Sequence, residues 1–475
     1  MQLSNSYTEL PDRFYSRIRP TAVPSPTLLA WNRPLAEELG LADAHRSEEE
    51  LAEIFSGNAV PDGADPIALA YAGHQFGYFV PQLGDGRAVL LGEATSRRDG
   101  RRYDIQLKGS GQTPYSRNGD GKAPLGPVLR EYILSEAMHR LGVPTTRALA
   151  AVATGSPVYR ETVLPGAVFT RVAASHLRIG TFEYFATRGD AEAVERLVDY
   201  AIQRHYPEAA DTPNPRLAFY RCVVEAQASL VAQWLSIGFI HGVMNTDNTS
   251  ISGETIDYGP CAFMDEFDIN RVFSSIDRHG RYAYGQQAPI AFWNLARLAE
   301  CLLPRNDDGK TREALEAELN RFPDRFTHHH RERMYAKLGL TTDDAENADL
   351  LNAWLRHLQE HALDFTLSFR RLGARLEADD APEFGEFETR WKACLARQPE
   401  SPAEIRERME RLNPLYIPRN HQVERVIRAA IAGDLSLFHE LNRVLQNPYA
   451  EQPGFENYAE PPTPEERVTQ TFCGT

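Results

Sequence analysis

The feature that most constrains this chain is the stretch 239–259, which reads FIHGVMNTDNTSISGETIDYG. It follows a strongly apolar segment, 217–237, which predicts a long buried helix closed by Gly238. The stretch carries five side chains suited to metal binding or proton transfer: His241, Asn245, Asp247, Asn248 and Asp257. Apolar residues on either side of Ser252-Gly253 also predict two short strands joined by a tight turn. Polar groups presented behind a buried helix indicate a metal–nucleotide site.

The composition is that of a folded chain without a nucleic-acid partner. Of its 475 residues, 42% are hydrophobic and 25% are charged, so a large core can form without a metal or disulfide. The formal net charge of −15 argues against non-specific nucleic-acid binding, because such binding requires a basic face. Basic residues within 87–178 could still form a local basic pocket.

Cysteine use and the N-terminal sequence predict a cytoplasmic protein. The five cysteines are odd in number and form no CxxC pair, so neither a zinc site nor a disulfide framework is indicated. The first twenty residues lack the apolar core of a signal peptide. Segment 226–246 is uncharged, but polar residues interrupt it, so we predict a buried helix and a loop, and no membrane span.

The first half of the chain predicts a small sheet crossed by one helix. A Pro-punctuated extension, 1–65, contains predicted helices at 26–39 and 47–55. A tight glycine turn at 83–87 then allows close approach of a backbone to a ligand. Strands are predicted at 88–93, 103–108, 148–153, 157–162 and 166–172. A helix at 128–141, beginning after Pro127, lies between the second and third of them.

The second half predicts helices and loops. Helices are expected at 217–237, 289–303, 347–375, 402–412 and 420–446. The acidic segment 261–287 has few apolar residues and is interpreted as an ordered surface loop. The tail from Pro448 is rich in Pro and Glu and is expected to lie on the surface or to be mobile.

The order of these parts is that of a protein-kinase fold, an α+β fold with a small β-rich lobe and a helical lobe. A strand lysine, Lys108, can hold nucleotide phosphates if a carboxylate on the crossing helix, Glu131, orients it. Asn248 and Asp257 are hard oxygen ligands that suit one or two magnesium ions. We predict five segments: an N-terminal extension 1–65, a kinase-like N-lobe 66–165, a kinase-like C-lobe with the active-site loop 166–310, an additional helical region 311–447 and a tail 448–475.

One departure from the kinase pattern concerns the catalytic base. The kinase loop reads H-R-D, or H-G-D in small-molecule relatives, with an Asn five residues after the Asp. In this chain Val243 is the residue five before Asn248, so the usual base is absent. Asp247 is the only nearby carboxylate that could serve instead. The glycine turn also lacks the GxGxxG pattern, and Gly121-Lys122 lacks the rest of a Walker A motif.

Longer stretches resemble one family. Across about residues 65–425 the sequence closely resembles the selenoprotein O (SelO) family, in the blocks AYAGHQFGYFVPQLGDGRA, DIQLKGSGQTPYSRNGDGKAPLGPVLREYILSEAMHRLGVPTTRAL, FTRVAASHLRIGTFEYF, HGVMNTDNTSISGETIDYGPCAFMD and NPLYIPRNHQVE. The closing Cys473-Gly-Thr also fits, because some members carry selenocysteine at this position. The resemblance implies a pseudokinase that binds ATP in a flipped orientation and transfers AMP to Ser, Thr or Tyr hydroxyls of proteins. Uridylylation from UTP, with manganese, is a related expectation.

The resemblance also implies roles for individual residues. Lys108 and Glu131 would position phosphate, and Arg171 and Arg178 would receive the outer phosphates. The nucleotide would be surrounded by Gly84, Gly86, Arg87, Asp120 and Gly121. Magnesium or manganese would be held by Asn248 and Asp257, and the base on the incoming hydroxyl would be Asp247. Two arginines suit this reaction physically, because departing pyrophosphate needs cations to take up its charge.

Other interpretations remain open at this point. An orthodox kinase could move the γ-phosphate with Asp247 as base, and a catalytically inactive nucleotide-binding scaffold is a third hypothesis. The joint presence of both metal ligands and the Lys–Glu pair speaks against the inactive scaffold. His328-His329-His330 is interpreted as a solvated surface cluster rather than a metal site. Cys473 is either an inert terminal thiol or a redox partner of Cys261.

Overall fold

The computed structural model describes residues 2–43, 45–304 and 309–472. Its strands, numbered in chain order, are β1 Tyr15–Arg17, β2 Thr27–Trp31, β3 Ile67–Leu69, β4 Gly73–Gln75, β5 Tyr78–Val80, β6 Ala88–Thr95, β7 Arg102–Lys108, β8 Ala123–Pro124, β9 Arg147–Tyr159, β10 Val163–Ala173, β11 Phe239–Ile240 and β12 Ala262–Phe263. Its helices are α1 Arg33–Glu38, α2 Glu48–Ser56, α3 Leu125–Arg140, α4 Ile179–Ala186, α5 Ala191–His205, α6 Pro215–Ser236, α7 Gln287–Cys301, α8 Lys310–Leu319, α9 Phe322–Lys337, α10 Ala345–Glu360, α11 Phe365–Arg375, α12 Gly385–Leu395, α13 Pro402–Glu410, α14 Asn420–Ile431 and α15 Ser436–Val444. The predicted α+β class is confirmed.

The sheet register places two basic side chains on one face. Eight strands form an antiparallel sheet in the order β1-β3-β6-β7-β10-β9-β2, with β8 pairing with β10. Strand β10 runs beside β7 with Arg171 opposite Gln106 and Phe169 opposite Lys108. Because side chains alternate along a strand and opposite residues share a face, Gln106, Lys108 and Arg171 lie on the same side of the sheet.

Helix α3 packs on that side of the sheet and is buried almost throughout. Leu129, Ile133 and Ala137 pack against the sheet and α14 in one apolar core, while Leu134 and Met138 belong to the larger core of the helical part. Burying a Leu or Ile side chain contributes about 1.5–3 kcal/mol to the stability of the fold. Packing against both apolar cores therefore fixes the position of α3. The opposite side of the sheet is covered by α1 and α2.

The predicted apolar helix is confirmed as α6 and leads directly to the functional stretch. Its first turn is capped by the side chain of Asn214, which accepts from the backbone N–H of Leu217. Gly238 follows the helix with φ of 72°, a left-handed conformation that costs glycine little. Strand β11 then pairs with β12, so residues 241–261 form a loop closed at its base by a two-stranded ladder.

The hairpin predicted around Ser252-Gly253 is wrong. Residues 241–261, all of them described, contain a 3-10 turn at Thr246–Asn248 but no strand. Ser250 instead bridges to Arg178, and Thr255 bridges to Thr145. The backbone groups of this segment therefore pair with two other parts of the chain, and such non-local partners are not visible in a local pattern.

Other boundaries also differ from the prediction. Strands β6 and β7 and helices α2 and α7 are confirmed, whereas the segments 148–153 and 157–159 belong to the single strand β9 and residues 160–162 form the turn to β10. The segment 26–39 begins as β2 and becomes helical only at Arg33. The segments 347–375 and 420–446 each contain two helices, and α12 was not predicted.

The acidic segment after β12 and the tail are more integrated than predicted. Phe273, Tyr282 and Tyr284 are buried, so 261–287 is a loop with an apolar underside rather than a surface loop. In the tail, Tyr458 is buried and Thr471 bridges to Ser274. Across the described residues, no helix is long and apolar enough to cross a membrane. The predicted division into lobes and segments stays a prediction.

Candidate active site

A cavity of about 760 Å³ collects every site residue predicted from the sequence. Its volume lies in the range of small-molecule sites. The predicted residues that line it are Gly84, Gly86, Arg87, Lys108, Asp120, Gly121, Glu131, Arg171, Arg178, Asp247, Asn248 and Asp257. Val243, at the position of the usual kinase base, also lines it and is an apolar, buried side chain.

Lys108 is held between two carboxylates. Its Nζ donates to Glu131 Oε2 at 2.7 Å and to Asp257 Oδ1 at 2.7 Å. Burial raises the pKa of Glu131, but the charges of Arg171 and Lys108 outweigh it and the pKa lies below its ordinary value. The predicted Lys–Glu pair is therefore present, with Asp257 as a second partner.

Arg171, which lies on β10, contacts the same two carboxylates. Its side chain is 1% exposed, its Nε donates to Glu131 Oε1 at 2.9 Å and its Nη2 donates to Asp257 Oδ1 at 2.6 Å. Burial lowers the pKa of this guanidinium, but Asp257 and Glu131 raise it above its ordinary value. Lys108 and Arg171 thus carry two positive charges against the two negative charges of Glu131 and Asp257, so these four buried and half-buried groups balance one another.

Arg178 adds a third cation just before α4. Its Nη2 lies 3.7 Å from Asp257 Oδ2 and its Nη1 lies 3.6 Å from Asp85 Oδ1, so both ion pairs are long. The guanidinium lies over the ring of Tyr71, 4.4 Å from its centroid. Its Nε and Nη1 are buried and have no hydrogen-bond partner among the described residues. Unpaired buried donors are costly, and an anionic ligand in the cavity would satisfy them.

Asp85 is a site residue that the sequence analysis missed. It lies in the glycine turn, accepts from the backbone N–H of Leu69 at 3.1 Å and from Gln106 Nε2 at 3.1 Å, and faces Arg178. Burial raises its pKa, and Arg178 opposes that rise. The sequence LGDGR carried no signal for this role, because an Asp beside Gly is equally typical of an ordinary solvated turn.

The glycine turn and the long loop after β7 form one wall of the cavity. Thr113 Oγ1 donates to Asp85 O at 2.7 Å, and Ser116 Oγ donates to Gly86 O at 2.5 Å. Gly121 has φ of 68°, and a Cβ there would collide with the backbone of Gly111. Only glycine therefore allows the two ends of this loop to meet, with the Gly111 N–H bonded to Gly121 O at 3.0 Å.

Asp120 is engaged by a partner that the sequence analysis did not identify. Arg160 Nη1 and Nη2 donate to its two carboxylate oxygens at 2.9 and 3.1 Å. The hydrogen bonds from Arg160 are the first reason that the pKa of Asp120 lies below its ordinary value. Both residues line the cavity, so Asp120 contributes a neutralised ion pair rather than a free acid.

Asp247 and Asn248 enter the cavity from the 3-10 turn. Asp247 is 7% exposed, and burial raises its pKa to about 7. Its Oδ1 has no hydrogen-bond partner within the described part of the chain. Asn248 Nδ2 donates to Val243 O at 3.0 Å, a bond that orients the amide without using its Oδ1.

Asp257 adopts a backbone conformation that is unusual for a residue with a Cβ. Its φ is 66°, in the left-handed region, where strain is commonly found at functional sites. The next residue fixes it, because the buried Tyr258 hydroxyl hydrogen-bonds to the hydroxyl of Thr145. Asp257 is consequently aimed at Lys108 and the two arginines, whose charges lower its pKa well below its ordinary value although burial raises it.

Two of the five polar residues singled out in the stretch have supporting positions. His241 Nε2 contacts Ile256 O at 2.9 Å, and the backbone N–H of His241 donates to Gln287 Oε1 at 3.0 Å. Asn245 lines the cavity, but its Oδ1 accepts from the Tyr282 hydroxyl at 2.6 Å. Both residues therefore shape the loop.

Asn248 and Asp257 have the chemistry to hold a divalent cation. Magnesium is usually bound through one or two protein oxygens together with substrate phosphates, so two protein ligands beside a phosphate pocket fit this mode. Among the described residues there is no group of three or more His, Cys, Asp or Glu side chains that could hold a metal by themselves. A cation here would therefore depend on the nucleotide for its other ligands.

The remaining sequence features lie elsewhere. The triple histidine is on α9, where His328 is exposed and His329 Nε2 contacts Glu225 Oε1 at 2.6 Å, as expected for a surface cluster. Burial raises the pKa of the Cys261 thiol to about 12. Cys473 lies outside the described residues.

The sequence was compared with families and with individual known proteins. A sequence model of the family described as "Protein adenylyltransferase SelO" matches residues 1–446. The chain is 57% identical to "Protein nucleotidyltransferase YdiU" of Bradyrhizobium sp. (strain ORS 278), over 99% of this chain and 98% of that protein. It is 56% identical to a protein of the same description from Rhizobium etli, over 99% of this chain and 97% of that protein. The identity is also 56% to one from Rhizobium meliloti, over 100% of this chain and 99% of that protein.

Proposed function

The chain belongs to the SelO family and is a nucleotidyltransferase, and we propose that it transfers AMP from ATP to Ser, Thr or Tyr hydroxyls of other proteins and releases pyrophosphate. The descriptions of the family and its relatives support ATP as donor and proteins as acceptors. The proposal also takes the sheet with α3 as a kinase-like N-lobe and the helical part as the C-lobe, as the order of the parts predicts.

The observation that carries the proposal is a cluster of three cations, of which the two arginines are buried and Lys108 is half-buried. Lys108, Arg171 and Arg178 all contact Asp257, and the side chains of the two arginines are 1% and 3% exposed. Attack at the α-phosphorus makes pyrophosphate the leaving group, and its charge develops on the β- and γ-phosphates. Fixed cations in a cavity shielded from water stabilise such charge strongly. We therefore place the outer phosphates against these side chains.

The acceptor hydroxyl meets Asp247 in this proposal. A carboxylate that burial holds at a pKa of about 7 can accept a proton near neutral pH. Val243 cannot take this role. The hydroxyl oxygen attacks the α-phosphorus, its proton moves to Asp247, and the bond from the α-phosphorus to the bridging oxygen breaks.

Asn248 and Asp257 are the proposed ligands of magnesium or manganese, which when bound would neutralise phosphate charge. The glycine turn 84–87 and Gly121 are the proposed neighbours of the nucleotide, because backbone without side chains permits close approach. UTP would be bound by the same phosphate contacts, so uridylylation is proposed as a secondary activity.

Intact-mass measurement tests the proposal. The purified chain is incubated with ATP, magnesium and a mixture of hydroxyl-rich proteins, and acceptors are weighed before and after. An added AMP is expected, with none when Asp257→Ala replaces the wild-type chain. An added phosphate would instead support a kinase, and no added mass with retained ATP binding would support an inactive scaffold.

A further inference from the structure

We propose that Gln75 is a positioning residue for the base Asp247, and that the hairpin of β4 and β5 carries it. The inference rests on the proposed role of Asp247. Gln75 Nε2 donates to Asp247 Oδ2 at 3.1 Å. Gln75 lines the same cavity, although it belongs to a hairpin that pairs with no other strand among the described residues.

The backbone of the hairpin directs the Gln75 side chain into the cavity. Its strands pair Gly73 with Val80 and Gln75 with Tyr78, which leaves Phe76 and Gly77 as a two-residue turn. Both turn residues have positive φ, 52° and 86°, as in the type I′ turn that suits antiparallel strands. A positive φ strains the backbone of a residue with a side chain such as Phe76, and strain of this kind persists only where surrounding contacts hold it.

Three consecutive hairpin residues hold three consecutive residues of the catalytic loop. The backbone N–H of His74 donates to Thr246 Oγ1 at 2.7 Å, and the backbone N–H of Phe76 donates to Asn245 Oδ1 at 3.2 Å. Between them, Gln75 reaches Asp247 with its side chain. The backbone of the hairpin thus fixes the loop on both sides, and one amide group fixes the carboxylate itself.

A carboxylate on α4 ties the two segments together. Glu183 Oε1 contacts His74 Nδ1 at 2.5 Å, and Glu183 Oε2 accepts from Thr246 Oγ1 at 2.5 Å. The ring of His74 also packs edge-on against Trp293. Because the hairpin is held in this way independently of Gln75, replacing Gln75 should leave its backbone in place.

The two oxygens of Asp247 consequently differ. Oδ2 is held by Gln75, whereas Oδ1 has no partner in the part of the chain that the structure describes. A Cβ on Gly73 would collide with Oδ1, so this oxygen lies directly against the hairpin backbone. Because Oδ1 is enclosed, the acceptor hydroxyl meets Oδ2, through the lone pair that Gln75 does not use and at an angle that Gln75 sets.

The test uses two variants of Gln75 and one of its neighbour. Gln75→Met keeps the length of the side chain without the donor, and Gln75→Ala removes both. We expect each to lower kcat for nucleotide transfer about tenfold, with KM for ATP changed less than about twofold. Tyr78→Ala is the control, because Tyr78 is 80% exposed on the same hairpin and should leave kcat unchanged.

Crystal structures of the two Gln75 variants give a readout that does not require activity. The inference predicts an Asp247 carboxylate turned away from its present position over an unchanged hairpin. It is overturned if Asp247 stays in place, if kcat is unchanged, or if KM for ATP rises strongly as kcat falls, as a structural fault would cause. If the wild-type chain transfers no nucleotide, the proposed function fails, and the crystal structures alone judge the role of Gln75.

Discussion

Arg171 Nη2 lies 2.6 Å from Asp257 Oδ1, which joins a guanidinium on the sheet to a carboxylate on the loop 241–261. The arginine is buried, and the aspartate is also 2.7 Å from Lys108. The same carboxylate is the proposed metal ligand. It therefore connects the proposed phosphate-binding cations with the proposed metal position, and replacing either partner should affect both.

Arg171→Lys should reduce nucleotide transfer about 100-fold while the chain still folds, because a lysine keeps the charge but loses the two-sided contact with Glu131 and Asp257. Steady-state kinetics and a thermal melt measure the two effects. Arg188→Lys, on a guanidinium that lies over Tyr184 at the surface, is the matched control. Equal activities of the two variants would contradict a role of Arg171 in charge stabilisation.

Asp257→Asn should remove the dependence of ATP binding on magnesium. In the wild-type chain, magnesium should tighten ATP binding, because the metal joins Asp257 to the phosphates. In the variant, Lys108 and Arg171 lose a negative partner, so ATP should bind without metal at least as tightly as before. Titration calorimetry with and without magnesium measures this. A magnesium effect of the same size in both chains would count against Asp257 as a ligand.

Gly121→Ala should weaken ATP binding about tenfold, because a methyl group at this left-handed position collides with Gly111 and displaces the cavity wall. Gly142→Ala provides a matched control. Gly142 has a similar φ of 80°, yet no atom lies within 4 Å of the position that a methyl group would take there. That variant should lose about 1 kcal/mol of stability and bind ATP normally. Equal binding by both variants would show that the loop contact is unimportant.

Lys337→Met should stabilise the chain near neutral pH. Lys337 is 4% exposed, its Nζ lies 4.4 Å from the ring centroid of Phe369, and burial lowers its pKa from 10.5 to about 7. Between these two pH values the unfolded chain binds the proton and the folded chain does not, so stability rises with pH across this window. The gain from the substitution, on the order of 3 kcal/mol at pH 7, should disappear toward pH 10.

Denaturant unfolding of the two chains at several pH values measures that gain. Lys392→Met is the control, because Lys392 is partly exposed and forms an ion pair with Glu388 at 3.1 Å. A gain for Lys337→Met that does not change with pH would mean that packing, rather than the buried charge, limits stability there.

The sequence predicts those parts of the site that sit on regular elements. Lys108 and Glu131 were found because the strand and the helix that carry them have readable apolar periods. Asp247, Asn248 and Asp257 were found because polar residues after an apolar helix stand out. Arg171 and Arg178 came from the family resemblance, since an arginine in a strand has no local signature.

The parts that were missed depend on contacts between distant segments. Gln75 meets Asp247 across 172 positions, and Arg160 meets Asp120 across 40. The wrong hairpin at 251–256 has the same cause, because the backbone around Ser250 bonds to that around Arg178, and the backbone of Thr255 bonds to residues 144 and 146. Local patterns describe period and turn chemistry, and they contain no information on which remote segment supplies a partner.

The central claim is that this chain transfers AMP, which contains the α-phosphorus of ATP, and does not transfer the γ-phosphate. Parallel reactions with α-labelled and γ-labelled ATP, magnesium and protein acceptors test it in one measurement, with Asp247→Asn as the inactive reference. We expect the acceptor proteins to be labelled only from α-labelled ATP, with release of pyrophosphate. The Asp247→Asn variant should yield neither labelled protein nor pyrophosphate. Protein labelled from the γ-position would contradict it and assign the site to a kinase.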